Sequence, residues 1–198
     1  MDLNYNTYSI FPVLIHQFDV NGFDEIQNNL IDHAYDLKEK EPKGVLLSNY
    51  GGWQSSGFNI ENEEDILQTF LVNCLSNFPV INKSCSMRVE AWVNINKPGD
   101  RNRIHDHPSC DLSGVLWIKT PKDCGQIEFT SPVQFQTFNE VESYTQEFKE
   151  SFNYHHTYYF NPIEGRILVF PSHLQHEVKE NKSNEDRISI SFNIKFIK

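Results

Sequence analysis

Apolar residues in the first 80 positions recur at intervals of three to five, the spacing of one face of an α-helix. One such stripe extends from Phe23 to Leu37, and polar residues fill its other positions. A second extends from Ile66 to Phe78 and follows three acidic residues at 63–65, which suit the positive end of a helix dipole. The pattern predicts two amphipathic helices.

The period of the apolar residues changes to two at about residue 85. Residues 87–96 place apolar side chains at odd positions and mostly polar ones at even positions, as in a strand with one buried face. Further predicted strands, separated by turns, are residues 112–119, 126–129, 154–160, 166–170 and 187–196. Helices followed by many short strands predict a mainly β fold with flanking helices, in which an antiparallel sandwich or barrel is supported on one outer face.

The 198 residues are expected to form a single domain. Residues 1–84 would supply the helical support and the first strands, and residues 85–198 the β core. Residues 131–152 are long for a connection between neighbouring strands, so we interpret them as an insertion over the mouth of the barrel.

Composition narrows the function classes. Asp and Glu number 27 against 17 Lys and Arg, a net charge of −10, which argues against a protein that grips nucleic acid through its phosphates. Apolar runs are far shorter than the roughly 20 residues needed to cross a bilayer, and the first residues lack the pattern of a signal peptide. The four cysteines form no CxxC pair, which indicates free thiols in a reducing compartment. We therefore expect a cytoplasmic protein.

Histidines indicate a metal site. His105 and His107 are two residues apart, so in an extended strand their imidazoles lie side by side on one face. Neutral imidazole is a good ligand for iron, zinc, copper or nickel. His176 follows the predicted strand 166–170 and a proline turn, where it could face another strand of the barrel and supply a third ligand.

The last predicted strand indicates an anion site. Its alternation is strict: Ile188 and its alternate neighbours occupy one face, whereas Arg187 and Ser189 occupy the other. If the isoleucine face packs on the helices, Arg187 and Ser189 point into the barrel, where a guanidinium needs an anion and can hold a carboxylate bidentately. Asn94 and Ser113, on two other strands, are further candidates for contacting that anion or a substrate.

Together these residues are similar to a known family. The matching segments are residues 92–99, 105–108, 112–115, 165–171 ahead of His176, and 187–193. They resemble the double-stranded β-helix (a cupin-like jelly roll) of the iron(II)- and 2-oxoglutarate-dependent dioxygenases, and more narrowly an oxygenase family found in bacteria and in phages, including cyanophages. The resemblance covers about residues 85–198. For a phage protein, the expected location is the host cytoplasm.

The resemblance implies an activity and its cofactors. Iron(II) would be held by His105 and His176, and 2-oxoglutarate would bind the metal with its distal carboxylate on Arg187 and Ser189. Oxygen would then drive decarboxylation to succinate, coupled to hydroxylation of an unknown substrate. The wider superfamily completes the iron site with a carboxylate at the position of His107. We predict that His107 takes that place as the third ligand, and a carboxylate from Asp106 or Asp111, or water, remains an alternative.

Two other functions compete with the oxygenase. A metal-binding cupin without 2-oxoglutarate would use Gly99, His105, His107 and Asp111, but the interval from Gly165 to His176 is long for that motif. A jelly-roll scaffold without catalysis would leave the polar face unexplained. The net charge favours a small-molecule or peptide substrate over nucleic acid. An exposed edge strand or the N-terminal segment would suit a homodimer.

Overall fold

Strands dominate the structure, a computed structural model that describes residues 5–59, 66–79, 81–82, 84–133 and 141–197. Three helices form in the described residues: α1 (Asp24–Lys40), α2 (Ile66–Ser76) and α3 (Gln146–Phe152). The strands are β1 (His16–Asp19), β2 (Asn49–Tyr50), β3 (Trp53–Gln54), β4 (Phe58–Asn59), β5 (Ser86–Asn96), β6 (Arg101–His105), β7 (Leu112–Lys119), β8 (Ile127–Thr130), β9 (Thr157–Phe160), β10 (Arg166–Pro171), β11 (His176–Val178) and β12 (Arg187–Ile197). No described helix has both the length and the apolar character needed to cross a bilayer.

The strands form two antiparallel sheets. The larger has the order β1-β10-β7-β12-β5-β3, with β4 also pairing with β5, and the smaller has the order β2-β6-β11-β8-β9. The longest pairing joins β5 to β12, from Asn96 opposite Arg187 to Ser86 opposite Ile197. This arrangement confirms the predicted class, mainly β with flanking helices.

The apolar face of β12 anchors the larger sheet to the helices. Ile188, Ile190, Phe192 and Ile194 are fully buried, in one cluster with Leu30 of α1 and with residues of α2. Burying each such side chain stabilises the fold by about 1.5–3 kcal/mol. The opposite face of β12 consequently turns toward the smaller sheet, as the alternation predicts.

A second apolar cluster lies between the sheets and includes Trp117, Phe129 and Phe170. It fills one part of the interior of the sandwich, and the polar face of β12 borders the remainder, which is the cavity described below.

Some elements differ from those predicted. β11, three residues long, is not among the predicted strands, and β6 ends at His105, whereas an extended strand through both His105 and His107 is predicted. Residues 154–160 form a strand only from Thr157, and the predicted insertion contains α3, capped by the Thr145 hydroxyl, which accepts from the Phe148 amide at 3.2 Å. Residues 134–140 of the insertion and the acidic residues 63–65 lie outside the described residues.

Gly114 is a position where β7 passes close to its neighbours. A Cβ there would lie against the Phe192 ring and 2.5 Å from the Leu168 carbonyl oxygen. Gly114→Ala should therefore lower the free energy of unfolding by about 1–3 kcal/mol, measured by urea denaturation. Lys119→Ala, at the partly exposed end of the same strand, removes only a surface ion pair with Glu185 and should cost less than about 1 kcal/mol. Equal losses in the two variants would contradict the packing described.

Candidate functional site

A β-bulge in β6 determines which side chains enter the interior. On β11, His176 pairs with His105 and Val178 pairs with Asn102, so three steps along β6 oppose two along β11. The extra residue lets both Asn102 and His105 line the cavity, although simple alternation would place them on opposite faces.

His107 enters the same space by a route that differs from the prediction. β6 ends at His105, so the two histidines do not share a regular strand. Instead, the His107 amide donates a 2.9 Å hydrogen bond to the Ser172 carbonyl, which fixes the chain beside the end of β10. The imidazole then lies 5.8 Å from the Trp92 ring, measured between ring centroids.

The three predicted histidines meet in the cavity. One ring nitrogen from each of His105, His107 and His176 lies within 4.8 Å of the others. The ring centroids are 4.4 Å apart for His105 and His176, 5.0 Å for His105 and His107, and 5.3 Å for His107 and His176. His176 is buried and the other two are half-buried. One cation could contact all three rings.

Backbone carbonyls fix the tautomers of two rings. The Nδ1 atom of His105 lies 2.6 Å from the Arg103 carbonyl, and that of His176 lies 2.9 Å from the Leu174 carbonyl. A carbonyl oxygen only accepts, so each Nδ1 donates and each Nε2 keeps a lone pair for a ligand.

Burial also keeps these rings neutral. It lowers the pKa of His176 to about 3 and that of His107 to about 4, and it lowers the pKa of His105 as well, because an imidazolium would lose its hydration. The cluster therefore presents three uncharged imidazoles at neutral pH.

The two alternative carboxylates lie outside this cluster. Asp106 is exposed, and Asp111 is engaged elsewhere: its Oδ2 accepts the Phe196 amide at 2.8 Å, and its Oδ1 lies 3.6 Å from Lys195 Nζ. Among the described residues, the group able to hold a metal consists of the three histidines alone.

The cavity continues from the histidines to the start of β12. Its volume is about 550 Å³, including the part that opens to solvent. Besides the histidines, its polar lining includes Asn94, Asn96, Asn102, Arg187, Ser189 and Ser191. The imidazole cluster and Arg187 therefore line one cavity.

Arg187 is a buried cation held by backbone carbonyls. Its side chain is 2% exposed, and Nη1 donates to the carbonyls of Cys124, Gly125 and Lys179, the last two at 3.2 Å. In the part of the chain that the structure describes, Nη2 is buried without a hydrogen-bond partner and the guanidinium forms no ion pair. Burial lowers the pKa of Arg187 to about 10, so the group remains charged at neutral pH and needs an anion.

The other predicted residues divide into two groups. Ser189 and Asn94 face each other across β12 and β5, and both line the cavity, where the Asn94 amide donates to the Ser191 hydroxyl at 3.0 Å. Ser113 is buried, but its hydroxyl donates to Asn193 Oδ1 at 2.8 Å, and it lies outside the cavity lining.

Sequence reasoning missed four polar residues of the lining. Asn96 shares a strand face with Asn94, and Ser191 shares one with Ser189, so alternation along β5 and β12 could have identified both. Ser48 and Asn102, joined by a 3.3 Å hydrogen bond from the Asn102 amide, gave no such signal because one lies in a loop before β2 and the other precedes the bulge.

Solved structures show the fold. A Pseudomonas putida prolyl-4-hydroxylase is similar with a TM-score of 0.60 and 14% identity over 91% of each chain. A non-heme alpha-ketoglutarate-dependent carbocyclase, SnoK from nogalamycin biosynthesis, has a TM-score of 0.62 and 11% identity over 91% of this chain and 78% of that one. A prolyl hydroxylase from Trichoplax adhaerens was solved in complex with a hypoxia inducible factor peptide fragment. It is similar with a TM-score of 0.61 and 12% identity over 91% of this chain and 82% of that one. These likenesses confirm the double-stranded β-helix.

Sequence comparison supplies the family. No curated protein matches the chain. The model of a family described as "Putative 2OG-Fe(II) oxygenase" matches residues 90–193, just over half of the chain, and this span includes the three clustered histidines and Arg187. The match favours the oxygenase over the metal-binding cupin and the scaffold. The chain therefore belongs to the 2-oxoglutarate–iron(II) oxygenase family.

Proposed function

We propose that the cavity binds iron(II) at His105, His107 and His176 and 2-oxoglutarate at Arg187 and Ser189, and that the protein uses both to hydroxylate a bound organic substrate. The observation that supports this most strongly is that Nη2 of Arg187 is buried, has no partner in the described part of the chain, and lies in the same cavity as the imidazole cluster. Family membership supports the same chemistry.

The donor set fits a divalent transition metal. Imidazole nitrogens suit iron(II), and three of them leave other coordination positions open for a co-substrate and oxygen. The carbonyls of Arg103 and Leu174 hold two of the rings in the tautomer that leaves Nε2 free.

The far end of the cavity fits a carboxylate. Nη2 of Arg187 is a charged donor with no partner among the described residues, and Ser189, two residues along the same strand face, adds a hydroxyl. A carboxylate between them would receive charge-assisted hydrogen bonds and neutralise the guanidinium. The Asn94 side chain lies opposite Ser189, and we propose that it contacts the same ligand. Ser113 would act indirectly, through Asn193.

Iron(II) with 2-oxoglutarate and oxygen supplies the oxidising power in this chemistry, with 2-oxoglutarate converted to succinate and carbon dioxide. The protein's own residues determine where the reacting groups are held. The guanidinium fixes the distal end of the co-substrate, and the histidines hold their rings at the other end of the cavity. Trp92, Trp117 and Phe170 add apolar walls that limit the access of water.

The substrate we propose is a small molecule or a peptide. A chain with a net charge of −10 would repel the phosphates of nucleic acid, whereas the cationic Arg187 inside the cavity still accepts one small anion. A bacterial or phage source and a cytoplasmic location stay predictions from the sequence.

The three-histidine site predicts a pattern of metal affinity. His107→Ala should weaken iron(II) binding at least about tenfold, measured by anaerobic calorimetry, because it removes one ligand. Asp106→Asn should bind iron(II) like the wild type, because that carboxylate is exposed and outside the cluster.

His155→Ala is the matched control, since this half-exposed histidine lies beside Tyr158 and away from the cavity lining. Unchanged affinity in His107→Ala, or a large loss in Asp106→Asn, would contradict the three-histidine site.

The Arg187 assignment predicts a defect specific to the co-substrate. Arg187→Gln should raise the Kd of 2-oxoglutarate about 10- to 100-fold, because it removes hydrogen bonds between a charged donor and a carboxylate. The affinity for iron(II) should stay within about twofold of the wild type. The weak visible charge-transfer band of the anaerobic iron(II) complex with 2-oxoglutarate provides the measurement.

Arg166→Gln is the control, because Arg166 pairs with Asp19 on the surface, with Nε 2.7 Å and Nη2 3.0 Å from the carboxylate oxygens. Arg187→Lys retains the charge and checks that loss of binding does not follow from misfolding. Wild-type 2-oxoglutarate affinity in a folded Arg187→Gln protein would refute the assignment.

A further inference from the structure

Residues 5–15, here called the N-terminal arm, expose apolar side chains that the single chain leaves in water. Phe11 is 93% exposed, and the five other large apolar residues concerned are also exposed: Tyr5, Tyr8, Ile10, Val13 and Leu14. The arm contains no helix or strand, and only at its last residue, Ile15, does a side chain pack against the core between the sheets.

Exposing these apolar side chains to water does not stabilise a single chain. Monomeric proteins rarely expose contiguous apolar patches of this kind, and such patches usually mark an interaction surface. Phe11 also has a φ of 59°, in the left-handed region, which is unfavourable for a bulky residue. At 93% exposure, Phe11 gains little packing from the residues that the structure describes to compensate for that conformation.

The arm leaves the molecule from a fixed and open sheet edge. β1 follows it directly and is the outermost strand of the larger sheet, where it pairs with β10 on one side only among the described strands. The Asp19–Arg166 ion pair secures one end of β1, and Phe18 contacts Phe78, with ring centroids 5.4 Å apart. An unpaired edge of this kind can accept a strand from another chain.

Charge indicates which partner fits. Residues 5–18 contain no Asp, Glu, Lys or Arg, although the whole chain carries a net charge of −10. Two copies of such an acidic molecule repel each other over most of their surface, so they associate best where neither presents charge. A twofold contact would also bring two open β1 edges together in antiparallel pairing and would place six exposed apolar residues from each copy in one interface.

We propose that the N-terminal arm docks on a second copy of this chain, giving a homodimer with the two β1 edges at its centre. This proposal is independent of the chemistry assigned to the cavity, because no arm residue lines that cavity.

The test is the oligomeric state of the full chain by light scattering and sedimentation. Wild type should have twice the 23.2 kDa mass of one chain at micromolar concentration. Phe11→Asp and Tyr8→Asp should each raise the dissociation constant of the dimer at least about tenfold, because either substitution places an unpaired charge in the buried interface. Both residues are largely exposed within one chain, so the variants should keep wild-type circular dichroism.

Leu46→Asp is the matched control: Leu46 is 78% exposed but lies away from the arm, before β2, so this variant should remain dimeric. Amide exchange of residues 5–19 should slow as the wild-type concentration rises and should not do so in Phe11→Asp. A wild type that is monomeric throughout, or arm variants as dimeric as Leu46→Asp, would overturn the proposal.

Discussion

The buried charge of Arg187 is the constraint on which the site depends. The isoleucine face of β12 packs on the helices, so the opposite face, which begins with this guanidinium, must turn inward. Three backbone carbonyls hold Nη1, but carbonyls carry no net charge and Nη2 stays without a partner in the described structure. A buried cation of this kind is costly unless an anion accompanies it. The fold therefore contains a site whose electrostatics are completed by a ligand.

The imidazole cluster is uncharged, in contrast to Arg187, and the two groups together determine which ligand charge the cavity favours. His105, His107 and His176 are held neutral by burial, so a divalent metal among them would receive no compensating charge from protein ligands. With Arg187 at the other end, the cavity would then hold three positive charges. A dianion that spans it, such as 2-oxoglutarate, offsets most of that charge, and this is how an acidic protein can still favour a small anion in its interior.

Much of this arrangement follows from local patterns in the sequence. Strict alternation in residues 187–196 predicts both the packed face of β12 and the inward direction of Arg187, and the helical stripes predict α1 and α2. The bulge in β6 has no such signal, because it depends on pairing with β11, which is distant in the sequence and only three residues long. Asn102 therefore entered the site unforeseen, and Ser48 did so because it lies in a loop before β2. Ser113 was predicted to line the site, but its hydroxyl donates to Asn193 instead.

The central claim is that one cavity holds iron(II) at three histidines and 2-oxoglutarate at Arg187. Diffraction from crystals loaded anaerobically with both, with data collected across the iron absorption edge, tests it most directly. The account predicts one anomalous peak bonded to a nitrogen of His105, His107 and His176, with a 2-oxoglutarate carboxylate on Nη2 of Arg187. A peak bound by Asp106 or Asp111, or a co-substrate that leaves Arg187 without an anion, would contradict it.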